Sequence, residues 1–356
     1  MSKNLLDYLF GKGRRGCCRV LLVQRASAGK SNVTLLLGLI LLAGSTMAAQ
    51  VPSPALLVLN KSENTLSIID PLSGKTLGRV STGEAPHELT TSADGKTAFV
   101  ANYGDREPGR TISMIDLATQ KELRRIDLGL LRRPHGIMYS GGKVYFTAET
   151  NKLIGRYDPV SNQIDWLLGT GQDITHMLVL SRDSNKLFTA NIGSDSISVI
   201  ERASDSPNWK ETVVAVGRGP EAIDISPDEK EVWTAHSQDG GVSIIEVASR
   251  KVTQTISLGM KRANRLKFTP DGKLVLISDL DAGELLVLNA PERKEIKRIK
   301  IGKMPEGILI PPDGAQAYVA VWGENSVAVL DLKTLEVSRR IPTGQGPDGL
   351  AWAGTR

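Results

Sequence analysis

The sequence predicts an all-β fold made from one four-stranded unit that recurs along most of the chain. The first observation is a series of glycines spaced by about 42 to 46 residues, a length that suits one four-stranded propeller blade. The second is a β-rich run that recurs in register with these glycines, and the third is a tight turn containing Pro-Asp or Asp-Gly before that run in several units. The glycines are Gly83, Gly129, Gly171, Gly217, Gly259, Gly302 and Gly344.

The unit that begins at Gly83 is the clearest copy, and each of its parts has a physical reason. Pro86 interrupts whatever precedes it, and Gly95 can take the positive φ that a tight turn needs. The segments between these points are rich in β-branched and apolar residues, which favours strands. The four predicted strands are His87–Thr91, Lys96–Asn102, Thr111–Leu117 and Glu122–Leu128.

The second strand of the unit recurs most clearly in the later units. It reads Phe99-Val-Ala-Asn102 in the first copy, and the sequence aligns five later segments with it. These are Phe146-Thr-Ala-Glu149, Phe188-Thr-Ala-Asn191, Trp233-Thr-Ala-His236, Leu276-Ile-Ser-Asp279 and Tyr318-Val-Ala-Val321.

The two ends of the chain complete one further unit. Gln345–Trp352 is an innermost strand without its other three strands, whereas the segment Ala55–Val80 contains three strands without an innermost one. Joining them removes the exposed sheet edges that an open array would present. The sequence therefore predicts a seven-bladed β-propeller of four-stranded blades, closed by a C-terminal innermost strand that joins the N-terminal strands.

These units resemble the YVTN-repeat β-propeller family of secreted and periplasmic proteins. The resemblance rests on Phe99-Val-Ala-Asn102 and Phe188-Thr-Ala-Asn191, and on the strands Ser113-Met-Ile-Asp116 and Ser198-Val-Ile-Glu201 that follow them. It implies the propeller fold but no single function, because the shared motif is structural. Similar seven-bladed propellers include lactonases and quinone- or haem-associated dehydrogenase subunits.

Residues 1–49 do not belong to the repeat and are predicted to form a leader with a signal peptide. Its apolar core, residues 34–43, has the length of a signal-peptide core and is short for a bilayer span. Small residues follow this core, so we expect cleavage after Ala48 or Ala49; the alternative is a retained membrane anchor. The predicted organisation is a leader and a single propeller domain, residues 50–356, that is periplasmic or secreted and keeps no membrane span.

The positive charge of the chain belongs to the leader. The whole sequence has a formal net charge of +5, but the leader contains seven Lys or Arg residues and a single acid, Asp7. Residues 50–356 therefore carry a net charge of −1, which gives no support for nucleic-acid binding. Both cysteines, Cys17 and Cys18, also lie in the leader, so the propeller is predicted to contain no disulfide bond.

Polar side chains begin the innermost strands at one end of the predicted channel. Because strands alternate in direction, the start of an innermost strand lies on the same face as the loop after the second strand. Three of the four histidines of the chain occupy equivalent positions in three adjacent blades. The predicted ring consists of His87, His135, His176, Glu221, Asn264, Glu306 and Asp348.

Three interpretations of this ring stay open. Polar groups at a narrow, wet channel mouth can simply bind water or backbone groups. The imidazoles can also act with the nearby cation Arg133 to bind a small anionic ligand. Finally, His87, His135 and His176 can bind a divalent transition metal ion, since neutral imidazole is a ligand of zinc, copper, iron and nickel. His236 and Trp322 lie at loops of the same face and are further candidate ligand-binding residues.

The first functional hypothesis is a monomeric binding scaffold that takes an unknown protein or a small anionic ligand on the face bearing the ring. The alternative is a propeller enzyme with its site at the channel mouth. It would be a lactonase-like hydrolase, in which Glu221 or Glu306 would polarise water, or a metal- or cofactor-associated oxidoreductase subunit. The sequence contains no Cys-x-x-Cys-His haem site and no Gly-rich phosphate loop, and it assigns no catalytic residue.

Overall fold

The computed structural model of the chain describes residues 54–203 and 208–354. These residues form 28 strands, arranged in seven four-stranded antiparallel sheets. The predicted all-β, seven-bladed β-propeller is therefore confirmed. The predicted leader, residues 1–49, lies outside the described residues. Nowhere in the described ranges does a helix have the length and apolar character needed to cross a membrane.

We number the blades from 1 to 7 in chain order. Blade 1 combines the first three strands with the last strand, and every other blade uses four consecutive strands. Blade 1 contains β1 (Ala55–Asn60), β2 (Thr65–Ile69), β3 (Thr76–Ser81) and the last strand, β28 (Pro347–Ala353). Blade 2 contains β4 (Pro86–Thr91), β5 (Thr97–Asn102), β6 (Thr111–Asp116) and β7 (Lys121–Asp127). Blade 3 contains β8 (Pro134–Ser140), β9 (Lys143–Ala148), β10 (Leu153–Asp158) and β11 (Gln163–Gly169).

The remaining blades follow the same order, from the channel outwards. Blade 4 contains β12 (Thr175–Leu180), β13 (Lys186–Asn191), β14 (Ser196–Arg202) and β15 (Trp209–Ala215). Blade 5 contains β16 (Pro220–Ile225), β17 (Glu231–His236), β18 (Gly241–Glu246) and β19 (Lys251–Ser257). Blade 6 contains β20 (Ala263–Phe268), β21 (Leu274–Asp279), β22 (Glu284–Asn289) and β23 (Lys294–Lys300). Blade 7 contains β24 (Pro305–Leu309), β25 (Gln316–Val321), β26 (Ser326–Asp331) and β27 (Glu336–Pro342).

The last strand closes the ring as predicted. β28 pairs with β1 in antiparallel register, with Ala55 opposite Ala353 and Leu57 opposite Ala351. It therefore takes the innermost place in blade 1 and leaves β1 with a partner on both sides. The innermost strands of neighbouring blades contact one another around the channel.

Burial is greatest in the second strand of each blade and least in the outermost strand. Second strands such as β5 and β13 are buried at nearly every position, because both of their faces lie against other blades. Outermost strands such as β27 alternate between exposed and partly buried residues, as expected for a strand with one solvated face. Trp233 is fully buried, and its ring meets Phe268 of the next blade edge-on with centroids 5.4 Å apart. The apolar core thus consists of layers between blades.

One part of the repeat alignment is wrong by one residue. The sequence aligns Glu149 with Asn102, but Ala148 occupies that structural position. Ala148 is the last residue of β9 and pairs with Pro134, the register that Asn102 has in blade 2. Glu149 instead begins a single 3-10 turn, Glu149–Asn151, after the strand. This shift matters because the residue that follows the strand faces the channel mouth.

Candidate functional site

Each innermost strand begins with a β-bulge. In blade 2, Pro86 pairs with Asn102 and Glu88 pairs with Ala101, so His87 is an extra residue with no opposite partner. The same shift occurs at the start of the innermost strand in all seven blades. Bulges commonly re-aim side chains next to functional sites, and the first strand position tolerates proline. The repeated Pro-polar sequence is therefore the signature of this bulge.

The residues at these bulges line a cavity of about 970 Å³ at the channel mouth. The structure thus brings together all of the ring that the sequence predicts. Its members are His87, His135, His176, Glu221, Asn264, Glu306 and Asp348.

A second ring of lining residues comes from the position that follows the second strand of each blade. The chemistry of the side chain differs in almost every blade, although the backbone position is the same. Among these residues, only Trp322 is a candidate predicted from the sequence. The second ring consists of Lys61, Tyr103, Glu149, Ile192, Ser237, Leu280 and Trp322.

Aromatic rings pack together where blades 2, 3 and 4 meet the cavity. The rings of His135 and His176 have centroids 3.7 Å apart, and His87 stacks on Tyr103 at 4.4 Å. His87 Nδ1 lies 3.2 Å from His135 Nε2, so one imidazole donates a hydrogen bond to the other. The Arg133 guanidinium lies over the Tyr103 ring, 4.5 Å from its centroid.

Glu149 connects two of these rings through hydrogen bonds. Its Oε2 accepts from the Tyr103 hydroxyl at 2.6 Å, and its Oε1 lies 2.5 Å from His176 Nδ1. Because a carboxylate only accepts, a neutral His176 carries its proton on Nδ1 and a lone pair on Nε2. His176 Nε2 and His135 Nδ1 are buried, and neither has a hydrogen-bond partner among the described residues. We call the following five residues the histidine wall: His87, Tyr103, His135, Glu149 and His176.

Two imidazoles of the histidine wall are held neutral. Burial, followed by the positive charge of Lys61, lowers the pKa of His87 well below its usual value of 6.5. Burial, followed by the neighbouring His176, lowers the pKa of His135 in the same way. A neutral imidazole can accept a hydrogen bond or bind a metal ion.

The other blades place carboxyl groups in the cavity. Burial and the neighbouring Asp348 raise the pKa of Glu306 to about 8, so this group is mostly protonated at neutral pH. Burial also raises the pKa of Asp348, although its Oδ2 lies 3.6 Å from the Lys61 ammonium. Glu221 Oε1 accepts a hydrogen bond of 3.0 Å from Asn264 Nδ2. This side of the cavity therefore places a protonated carboxyl group, Glu306, beside two other carboxyl groups.

A buried ion pair crosses the channel one residue deeper than the first ring. Arg265 of blade 6 donates from Nε to Oε1 of Glu88 in blade 2 at 2.8 Å. Its Nη2 also lies 3.8 Å from Asp348 Oδ1. Burial lowers the pKa of Arg265, but the charges of Glu88 and Asp348 more than offset this, so the pKa lies above its usual value. The pair therefore forms part of the charged floor of the cavity, which Arg265 lines.

The cavity lining contains more acidic than basic side chains. Such a lining favours cations and hydroxyl-bearing neutral molecules over anions. The acidic residues are Glu84, Asp105, Glu149, Glu221, Glu306 and Asp348, and the basic residues are Lys61, Arg262 and Arg265.

Two candidates from the sequence, His236 and Arg133, are not among the lining residues. His236 is fully buried at the end of β17, and its Nδ1 lies 2.8 Å from Asp239 Oδ1. The same position of the repeat is buried in other blades, three of which have an asparagine there. These are Asn60, Asn102 and Asn191. Arg133 contacts two lining residues, through the ring of Tyr103 and through a hydrogen bond of 3.3 Å from its Nη2 to the Asp105 carbonyl oxygen.

Sequence reasoning missed Tyr103, Glu149, Arg265 and Glu88 as parts of the site. The register error hid Glu149, and nothing in the sequence pairs Arg265 with a residue in a distant blade. One signal was available for Tyr103 and Glu149. The residue after the second strand changes its chemistry between blades while the strand itself stays apolar. A repeat position that packing does not constrain is free to serve a ligand.

A family model and a curated protein each match part of this chain. The family model of the Cytochrome D1 heme domain matches residues 169–311. Antigen Lp49 from Leptospira interrogans is 25% identical over 185 residues, which are 46% of this chain and 40% of the antigen. The chain therefore matches well under half the length of that relative.

Several solved structures share the fold. Hydrazine synthase from Kuenenia stuttgartiensis superposes with a TM-score of 0.65 at 20% identity, covering 74% of this chain and 88% of that chain. The periplasmic gluconolactonase of Pseudomonas aeruginosa gives 0.70 at 18% identity, covering 85% and 99%. A putative 6-phosphogluconolactonase from Bacteroides uniformis gives 0.70 at 17% identity, covering 85% and 100%. At these identities the likeness concerns the fold alone.

One family model matches a larger part of the chain. It is described as a YNCE-like beta-propeller, and it matches residues 38–217, just over half of the sequence. The closed ring of seven four-stranded blades agrees with that description. The finer resemblance to YVTN-repeat propellers stays a prediction. The chain belongs to the YNCE-like β-propeller family.

Proposed function

We propose that this protein binds a small polar molecule in the mouth of its channel. The observation that carries the proposal is the cavity of about 970 Å³ into which both rings of side chains converge. A cavity of this size suits a small ligand, since small-molecule sites typically occupy about 300–1,000 Å³. A concave site of this kind favours a small ligand over a protein partner, which would need a broad surface.

The lining favours an uncharged, hydroxyl-bearing ligand. Carboxylates and neutral imidazoles accept hydrogen bonds from hydroxyl groups, and the protonated carboxyl of Glu306 can donate one. The ring of Trp322 supplies an apolar face against which a carbon skeleton can pack. An anionic ligand, as predicted from the sequence, would meet more carboxyl groups than cations in the same cavity.

The test compares two probes with one carbon skeleton, the neutral polyol glucitol and the anion gluconate. All five tryptophans lie in the described ranges, and among them only Trp322 lines the cavity, so its fluorescence should change on binding. We expect saturable quenching and a raised melting temperature with glucitol and a weaker response to gluconate. A Trp322→Phe variant should lose the fluorescence signal, whereas the matched Trp352→Phe variant should keep it. Tighter binding of gluconate would support the anionic ligand instead, and no response to either probe would contradict a polyol-type site.

A second candidate function is lactone hydrolysis. The observation that favours it is a protonated carboxyl group, Glu306, in the same cavity as neutral imidazoles, so that a proton donor and proton acceptors line one site. An imidazole would take a proton from water as the oxygen attacks the lactone carbonyl, and Glu306 would protonate the ring oxygen that leaves. The gluconolactonases among the structural neighbours make this a reasonable class to test.

The test of hydrolysis is acid release from glucono-δ-lactone, followed at constant pH against the spontaneous rate. An active protein should lose most of its rate in the Glu306→Gln variant. A wild-type rate equal to that of buffer would remove this candidate and leave ligand binding as the function.

We also propose that the protein is exported to the periplasm or secreted. The support is the apolar segment at residues 34–43 followed by small residues. Fractionation of cells that express the full chain should recover a shortened protein outside the cytoplasm. A full-length protein that stays with the cytoplasmic fraction or the membrane would contradict this localisation.

A further inference from the structure

We propose that His135, His176 and Glu149 form a site for one divalent transition metal ion in the histidine wall. The inference rests on the proposed function in that it uses the same cavity, but it requires no organic ligand and can be tested without one. It also revises the ligand set that the sequence suggests, because Glu149 takes the place of His87.

The first support is the position of the donor atoms. One donor atom from each of the three residues lies within 4.8 Å of the other two. All three residues are buried, with 2%, 8% and 6% of their surface exposed for His135, His176 and Glu149. Three ligands at about 2.0–2.2 Å from a common ion are about 3–4 Å apart. Metal binding would therefore require only small movements of the three side chains.

The second support is that donor atoms in the wall are left without partners. His135 Nδ1 and His176 Nε2 are buried and make no hydrogen bond with any residue in the described ranges. A buried polar atom without a partner is costly, and its presence calls for an explanation. An ion bound by His135 Nδ1 would supply the interaction that this nitrogen lacks.

The third support is that neighbouring groups already hold two of the ligands. His135 Nε2 lies 3.2 Å from His87 Nδ1, and the ion would lie between His176 Nδ1 and Glu149 Oε1, in place of the hydrogen that these two atoms, 2.5 Å apart, share. Tyr103 in turn donates to Glu149 at 2.6 Å. Metal-binding histidines commonly have their other nitrogen hydrogen-bonded in this way, which fixes the ring and its tautomer. His87 and Tyr103 are therefore positioning residues in this site.

The chemistry of the set defines the class of metal. Imidazole nitrogens with one carboxylate suit zinc, iron, copper, cobalt or nickel, whereas calcium and magnesium prefer an all-oxygen set. Three protein ligands also leave room for a molecule from the cavity to complete the coordination. The acidic lining described above favours the entry of a cation.

The experiment uses the full chain without affinity histidines, in a Cys17→Ser, Cys18→Ser background so that thiols do not bind the metal. After treatment with a chelator, the protein is titrated with Zn²⁺ by calorimetry, and elemental analysis gives the bound ratio. Co²⁺ provides a visible absorption signal for nitrogen coordination. We expect one Zn²⁺ per chain, a raised melting temperature and no comparable binding of Ca²⁺.

Three variants locate the site. His135→Ala and His176→Ala should lose stoichiometric binding, and Glu149→Gln should weaken it at least about tenfold. The matched control is His236→Asn, which removes the fourth histidine and restores the residue that three other blades have at that position. This control should bind Zn²⁺ like the parent. Circular dichroism and melting curves of the metal-free variants verify that each is folded.

The outcomes separate the metal site from the proposed function. Absence of stoichiometric Zn²⁺ binding, or binding that survives in folded His135→Ala and His176→Ala proteins, would overturn the metal site. An equal loss of Zn²⁺ binding in His236→Asn would also overturn it, because the loss would then not be specific to the histidine wall. Glucitol binding by a protein that binds no metal would leave the proposed function standing while the metal site fails.

Discussion

Arg265 and Glu88 are 177 residues apart in the chain, yet they form a buried ion pair across the channel, with Arg265 Nε 2.8 Å from Glu88 Oε1. Their side chains are only 6% and 13% exposed. Arg265 lies in the innermost strand of blade 6 and Glu88 in that of blade 2, so the pair links two sides of the ring directly. A pair of this kind makes the channel floor sensitive to the loss of either charge.

We predict that Arg265→Met destabilises the protein by about 3–5 kcal/mol, because Glu88 would be left as an uncompensated buried charge. Urea unfolding gives the change in the free energy of unfolding. The double variant Glu88→Gln, Arg265→Gln should lose less, since neither charge remains. Arg125→Ala breaks an exposed pair with Glu122 and should cost less than about 1 kcal/mol. A loss for Arg265→Met no larger than this control would contradict the prediction.

Close approach of the innermost strands gives a second prediction. A Cβ added to Gly349 would lie 2.3 Å from the carbonyl oxygen of His87 in the neighbouring blade. Gly349→Ala should therefore force the strands apart and cost about 1–3 kcal/mol. The control is Gly169→Ala, because nothing lies within 4 Å of a Cβ built there. Equal melting temperatures for the two variants would show that the strand contact is not tight.

Ring closure by β28 gives a third prediction. Deleting residues 345–356 would leave β1 without its inner partner and expose the buried Ala351 contacts. We expect a large fall in melting temperature and aggregation through the unpaired edge. Adding a peptide with the deleted sequence should restore part of the lost stability. Removal of residues 355–356 alone serves as the control, and unchanged melting of the longer deletion would contradict the role of β28.

The buried carboxyl of Glu306 gives a fourth prediction, on pH. Its pKa is raised from 4.5 to about 8 by burial and Asp348, so the folded protein holds a proton that the unfolded chain releases. Stability should therefore fall as the pH rises between these values. Arg265, Lys61 and Glu221 also face Glu306, with the two cations lowering its pKa and Glu221 raising it.

The measurement compares the parent and Glu306→Gln by urea unfolding between about pH 6.5 and 8, where the loss in the parent is up to about 2 kcal/mol. The lowered pKa values of His87 and His135 make stability change in the opposite direction and at lower pH. Below about pH 6.5 these histidines bind protons in the unfolded chain but not in the folded protein, so stability falls as the pH falls. The Glu306→Gln protein should show a smaller slope in the upper range. Identical slopes would mean that Glu306 is not the group that titrates.

The repeat in the sequence determined the blade, the number of blades and the way the ring closes. A stride of about 42 to 46 residues, together with tight turns and apolar second strands, is local information that each unit repeats. The first ring of the cavity was predictable for the same reason. A Pro-polar pair begins five of the seven innermost strands and is a local signature of the bulge. Together with the repeat length, it allowed His87, His135 and His176 to be placed at equivalent positions from the sequence.

Only the tertiary structure decided how these residues combine. The register of β9 against β8 depends on pairing along the whole strand, and this pairing moved Glu149 by one place and into the cavity. The Arg265–Glu88 pair depends on the curvature of the ring, which brings blades 2 and 6 to opposite sides of one narrow channel. His236 is buried because its position in β17 packs beneath the connection that contains Gly217, where an added Cβ would lie only 2.1 Å from His236 Nδ1. Repeats specify which positions face the channel, but the distances between side chains from different blades arise only when the ring closes.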